Sequence, residues 1–381
     1  MWKGGKRMNR SYNVFVDNGL FVLAYYLDKD IEDITEEDIV DNIDVMCDKI
    51  NKFTDCEKYS NLKSMMFSNS ALTQSSSNKT INDYLNDFSS HTGNDVCCLC
   101  GEARADISNV NLNRSYLPNF VANTYFNYSN NLKGVNVCGI CAILTMYSIL
   151  NCRVYGLAYL YNSDCDDFKY DYTYEIQEEN KRDILLGAKK SKGTSNTETL
   201  EKLLNSSKIY DTKNIEIYKF NNSGQSQGIE IQNIKSNNIK ILDKVIKSGL
   251  LNEFKEYKLM YELIANRLEY TYLNRIVNDD EVKCSEDLFN FLNREVNRMD
   301  NATIEIIKNI ANKLEDDSEK IRKKLKLVKT FRDFEGILVE LNEEYYEKYE
   351  KPLYTVDEYL VLDNRFKFNQ IRNLLLVSLI K

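Results

Sequence analysis

The residues best suited to chemistry in this sequence are thiols. Cys97-Cys-Leu-Cys100-Gly101 and Cys138-Gly-Ile-Cys141 form two C-x-x-C pairs with 37 residues between them. Cysteines at this spacing turn both thiolates toward one ion, while Gly101 and Gly139 permit the tight backbone of such a knuckle. Four thiolates fill a tetrahedral site and leave no open position for activating water. Cys97, Cys100, Cys138 and Cys141 are therefore expected to hold a structural Zn2+. The gap exceeds the ~15–20 residues of the commonest pattern. Doubling a loop costs only ~0.6 kcal/mol, however, against ~10–16 kcal/mol of apparent binding energy for structural zinc. The rival reading is a thiol–disulfide or zinc-dependent enzyme centred on Cys138 and Cys141. That pair directly precedes the apolar stretch Ala142 to Leu150, and a helix N-terminus lowers a thiol pKa. It leaves the first pair without a role. Cys98 has the wrong spacing and reads as a spectator, and Cys47, Cys56, Cys152, Cys165 and Cys284 read as buried or incidental.

Little else in the chain offers catalysis. His91 is the only histidine, which excludes any mechanism needing two imidazoles, and it reads as a surface residue. Asp164, Asp166 and Asp167 read as a solvated turn, and no nucleophile–base pair is evident.

The chain that carries the thiols is expected to hold more than one domain, since 381 residues exceed one compact core. Hydrophobic residues at 43% and charged residues at 28% are ordinary for a globular protein. Many Asn, Lys, Ile and Tyr residues with only two prolines resemble the coding bias of an AT-rich genome, so lysine richness alone carries no weight. No segment reaches the ~20 apolar residues that span a bilayer. The basic start from Met1 to Arg7 is followed by an apolar run that Asp17 and Asn18 interrupt, which argues against a signal peptide. Ten cysteines in such a chain suggest metal or redox chemistry rather than a disulfide framework. A cytoplasmic location is expected, with no membrane partner.

Along the chain, Asn13-Val-Phe-Val-Asp-Asn-Gly19 reads as a short extended piece and a turn before an apolar helix, Leu20 to Leu27. Thr35-Glu-Glu-Asp38 is a capping signature for one helix with Ile39, Ile43, Met46 and Ile50 on its apolar face. Residues 68–80 read as a loop, Arg153 to Tyr161 as a strand, and 187–197 as a flexible basic segment. Ile215 to Phe220 and Gly228 to Ile234 alternate as two strands joined by a polar loop. From Ile241 the period becomes helical, with one long stripe from Leu242 to Leu268 and further helices over 286–314, 318–350 and 356–380. The fold class is α+β: a mixed N-terminal domain over residues 1–240 with its zinc element at 97–141, then a C-terminal helical bundle over 241–381.

The net charge of −8 argues against a simple nucleic-acid-coating protein. It is uneven: residues 1–180 carry 15 basic and 25 acidic side chains, residues 181–258 carry 15 and 9, and the remainder 20 and 24. In the basic middle, Lys189, Lys190 and Lys192 suit phosphate contact, or are simply a solvated loop. Asn222 and Gln225 can donate to base edges, or serve ordinary turn chemistry. In a helix around 320–334, Arg322, Lys326 and Lys329 flank the core stripe Ile321, Leu325 and Val328. They can track a phosphate backbone, or form a solvated face balanced by Glu315, Asp316 and Asp317.

The order of these pieces resembles the large subunit of the type I-B CRISPR Cascade effector complex. The resemblance is carried by Asn13-Val-Phe-Val-Asp-Asn-Gly19, the two cysteine pairs with their long insert, Ile215-Glu-Ile-Tyr-Lys-Phe-Asn-Asn-Ser-Gly-Gln225, Tyr359-Leu360 and Arg372-Asn-Leu-Leu-Leu376. It spans nearly the whole chain, although only the cysteines are sharp. It implies a non-catalytic subunit that binds the 5′ end of a guide RNA and recognises the target-flanking motif in double-stranded DNA. Such a subunit stabilises the opened target beside other Cascade subunits and recruits a helicase-nuclease.

Overall fold

The computed structural model describes residues 6–66, 80–90, 93–105, 137–189, 214–220, 229–278 and 281–380. The chain divides into two compact units, Met1–Ser236 and Asn237–Lys381. The first is mixed helix and sheet and the second is helical among its described residues, save one short hairpin (Val277–Asn278 with Glu281–Val282). No helix among the described residues is long and apolar enough to cross a membrane.

At the centre of the first unit lies α1 (Val14–Leu27). The expected extended piece and turn at 13–19 is instead the first half of this helix. Asn13 caps it, its Oδ1 accepting from the amides of Phe15 and Val16 at 3.0 and 3.2 Å. Helix tolerates the interrupting polar residues because each finds buried partners. Asp17 accepts from Arg10 Nε at 3.0 Å and from the Ser11 amide at 2.9 Å. Arg10 continues to Asp166 at 2.6 Å, so Asp166 is ion-paired rather than part of an open acidic turn. Gly19 is not a turn residue: it lets α1 approach the backbone of α6 (Gly139–Tyr147).

Thr35 and Asp38 form the expected capping box. Ile39, Ile43, Met46 and Ile50 are all buried, but on two helices, α2 (Glu36–Asp41) and α3 (Ile43–Asp55), which part at Asn42. α4 (Leu62–Met66) and α5 (Ile81–Ser90) follow; the expected loop at 68–80 lies, up to residue 79, outside the described residues. A small hairpin, β1 (Asp95–Val96) with β2 (Ala103–Ala105), precedes α6.

Arg153 to Tyr161, expected as one strand, is β3 (Arg153–Tyr155) and the start of β4 (Leu157–Ser163). Gly156, at φ 75°, adopts the left-handed conformation that a one-residue reversal needs. The antiparallel sheet continues through β5 (Asn214–Phe220) and β6 (Ile229–Lys235), in the order β3-β4-β5-β6. Ile217 opposes Gln232, and Phe220 opposes Ile229. α7 (Asp166–Leu186) ends at Gly187, again left-handed.

α7 places Lys169 in the interior, fully buried. Its Nζ donates to Asn18 Oδ1 at 2.6 Å and to the Tyr161 carbonyl at 3.1 Å, while Asn151 also donates to Asn18 Oδ1. Burial pushes its pKa down to about 7, Asp17 resisting and Arg10 adding to the shift. The unfolded chain, with an ordinary lysine, binds the extra proton between pH 7 and about 10. Unfolding free energy should therefore rise across that window, by at most ~1.4 kcal/mol per pH unit from this group, and show no such contribution below it. Denaturant melts of wild type and Lys169→Met at pH 7, 8.5 and 10 check this. The unfolding free energy of wild type minus that of Lys169→Met should rise with pH with a slope of that sign, and a constant difference would contradict it.

In the second unit the expected single stripe is broken into α8 (Ser236–Lys247), α9 (Leu251–Glu256), α10 (Leu259–Ile264) and α11 (Leu268–Ile276). The first break is a Schellman cap. Gly249 is at φ 71°, with Gly249 N–H on the Ile246 carbonyl and Leu250 N–H on that of Val245. Lys258 and Asn266 take left-handed conformations at the next two breaks. Tyr261 points outward, 57% exposed, although Leu242, Val245, Met260, Ile264 and Leu268 are buried as expected. α12 (Glu286–Phe291), α13 (Asn301–Lys313), α14 (Ser318–Leu327), α15 (Phe331–Tyr349), α16 (Val356–Leu362) and α17 (Phe368–Ser378) complete the unit.

Candidate metal centre

The four cysteines converge. One sulfur from each of Cys97, Cys100, Cys138 and Cys141 lies within 4.8 Å of all the others. Among the described residues this is the only cluster of three or more His, Cys, Asp or Glu side chains arranged to hold a metal ion.

Each half of the site follows from local structure. The first pair sits in the turn between β1 and β2, closed by Gly101 N–H on the Cys97 carbonyl and Cys97 N–H on that of Glu102, both 2.8 Å. Gly101 is left-handed at φ 74°, with open space where a Cβ would stand, so its glycine requirement is conformational. Outside the turn, Lys6 pairs with Glu102 at 2.6 Å. The second pair opens α6: Cys138 is its N-cap, and its Sγ accepts from Cys141 N–H at 3.4 Å. The Cys138 amide meanwhile donates to Cys97 Sγ at 3.3 Å, crossing between the halves.

The dimensions suit a tetrahedral ion. A metal–sulfur bond of ~2.3 Å places tetrahedral sulfurs roughly 3.8 Å apart, and Cys100 Sγ and Cys138 Sγ are separated by 3.9 Å. Cys97, Cys138 and Cys141 are fully buried and Cys100 is half-buried, so the site is enclosed. Four sulfurs without an oxygen ligand form a closed donor set that can hold a metal ion and offers no place for substrate. Within the cluster, hydrogen bonds from Cys100 and then from Cys138 and Cys141 draw the Cys97 thiol well below its ordinary range. Cys138 and Cys141 likewise draw Cys100 to about 6, and the two donors are correspondingly raised.

Cys98 is exposed and lies outside the cluster. Cys47 and Cys152 are buried, and no disulfide joins any of the ten cysteines. His91 lies outside the described residues.

The sequence-level nucleic-acid candidates do not form one site among the described residues. Lys189 is exposed just beyond the end of α7, whereas Lys190, Lys192, Asn222 and Gln225 lie outside the described residues. Arg322 and Lys326 sit on α14, but Lys329 does not. The helix expected over 320–334 ends at Leu327, because Val328 turns extended and Thr330 with Asp333 forms the capping box of α15. Ile321, Leu325 and Val328 are buried as expected. The acidic residues expected to balance the stripe serve another partner: Asp316 and Asp317 pair with Lys348. Lys320, Lys323 and Lys324 are engaged by Glu344, Glu319 and Glu340.

Sequence reasoning missed the buried network of Arg10, Asp17, Asn18, Asn151 and Lys169. The polar pair Asp17-Asn18 inside an apolar run was its one visible signal. Set beside protein-family models, curated proteins and solved structures, the chain matches none of them, and the family resemblance rests on the residues quoted for it.

Proposed function

We propose that this chain is the non-catalytic large subunit of a guide-RNA-directed antiviral surveillance complex, with a structural zinc ion on Cys97, Cys100, Cys138 and Cys141. In this reading it binds the 5′ end of the guide RNA and reads the short motif flanking the target in duplex DNA. It then holds the opened target and recruits a helicase-nuclease, acting in the cytoplasm. The protein reads the flanking motif while base pairing reads the sequence.

The observation that carries the reading is the closed four-thiol centre, which is also the sharpest element of the resemblance. Zinc is the divalent ion that an all-sulfur tetrahedral donor set favours. Its task is to tie the β1–β2 turn to α6, so that a long insert can be carried on a fixed base. A thiol–disulfide enzyme at Cys138 and Cys141 fits less well, because reactive cysteines need access and both of these are fully buried. The basic middle of an otherwise acidic chain, with Lys189 exposed at its start, supports a local backbone contact.

Recovery of the tagged chain from its native cell tests the reading. Short RNA of uniform length with a constant 5′ end, together with further subunits, is the expected result. A chain that comes down free of RNA and of partners, at low salt, would sink it.

A further inference from the structure

The helical unit contains a cleft whose polar lining, among the described residues, is cationic or neutral. It measures about 310 Å3, at the lower end of the size range of ligand pockets. Leu273, Val277, Leu325 and Leu376 supply apolar wall, Lys326 and Arg372 supply charge, and among the described residues no aspartate or glutamate lines it. In a chain of net charge −8 that absence is unusual, and Lys320, Lys323 and Lys324 close by on α14 each have a glutamate partner.

Arg372 is fixed in place without being neutralised. Its Nη1 donates to the Val328 carbonyl at 2.6 Å, and its Nε and Nη2 donate to Asn373 Oδ1 at 3.2 and 2.9 Å. Each of these partners is uncharged. A guanidinium has five N–H donors, so one N–H remains on each terminal nitrogen, a pairing that suits the two oxygens of a carboxylate. Partial burial disfavours the charged guanidinium, and an incoming anion would relieve that cost.

We infer that this cleft binds a monocarboxylate carrying an apolar group, its carboxylate held between Arg372 and Lys326 and its apolar part against Leu273, Val277, Leu325 and Leu376. The source is either a free alkanoate or the C-terminal carboxylate of an apolar residue on another polypeptide. The inference does not rest on the nucleic-acid reading and competes with it at Lys326, which that reading uses as a phosphate contact.

Calorimetric titration of the full chain at fixed ionic strength tests it, with octanoate and N-acetylleucine as probes. Octan-1-ol and N-acetylleucinamide are the neutral controls. Both acids should bind at least about tenfold more tightly than their controls, the typical worth of a hydrogen bond to a charged group. Tighter binding of N-acetylleucine assigns the site to a polypeptide terminus, and tighter binding of octanoate to a free acid. Arg372→Gln should weaken both acids by a similar factor. Because Arg372 also supports Val328, Lys326→Gln at an exposed position provides the second variant and should weaken them without changing the melt. The inference is overturned if the acids fail to bind at millimolar concentration or if the neutral controls bind equally. Unchanged binding by Lys326→Gln overturns it too, as does inorganic phosphate or a duplex oligonucleotide displacing octanoate from the cleft.

Discussion

Cys141→Ser is expected to release the bound metal and unfold much of the first unit. The thiol is fully buried in the opening turn of α6, within 4.8 Å of its three partners. Metal binding in a closed site is folding free energy, and ~10–16 kcal/mol of it equals or exceeds the ~5–15 kcal/mol that keeps a typical protein folded. Losing most of it leaves the β1–β2 turn and α6 without their tie. Cys100→Ser should do the same from the other half. Cys98→Ser should do neither, since that thiol is exposed and outside the cluster. Metal content and a thermal melt of each variant decide the matter. Metal loss in Cys98→Ser with retention in Cys97→Ser would show that the ligand set is misassigned.

Gly19→Ala should be strongly destabilising. A Cβ at this position would lie 1.8 Å from the Leu144 carbonyl oxygen and 2.6 Å from its carbon. Both are backbone atoms, so no side chain can swing aside, and α1 and α6 must separate. Around the contact Val16, Leu20, Leu23, Ile140 and Ile143 are fully buried. Separation therefore loosens close packing along both helices, at ~3 kcal/mol or more. For a unit of this size that is a fall of roughly 6–12 °C in melting temperature. Helix propensity alone gives the opposite sign, since alanine in a helix is favoured over glycine by ~1 kcal/mol. A melt unchanged or raised in Gly19→Ala would contradict the close approach. Since α6 carries Cys138 and Cys141, faster metal transfer to a chelator should accompany the loss of stability.

The sequence made the four-thiol cluster legible because its evidence is local and discrete: two pairs, each at ligand spacing, each beside a glycine. The capping box at Thr35 is equally local, formed by residues three apart. Alternation in Ile215 to Phe220 also survived into β5, because one strand face is buried. What failed depended on contacts between distant residues. Asp17 and Asn18 look like breakers until Arg10, Tyr161 and Lys169 are placed around them. Gly19 looks like a turn until Leu144 lies against it. The long stripe from Leu242 to Leu268 kept its buried residues and lost its continuity, since left-handed Lys258 and Asn266 carry no strong sequence signal. Lys329 shared a helix with Arg322 only until the Thr330 cap started a new one.

The central claim is that four cysteines form one closed zinc centre, and metal analysis of the purified full chain tests it most directly. The expected result is one tightly held zinc per chain, with Cys97, Cys100, Cys138 and Cys141 shielded from a thiol reagent until a chelator removes the ion. Metal-free, folded protein in which Cys138 and Cys141 cycle reversibly to a disulfide would contradict it.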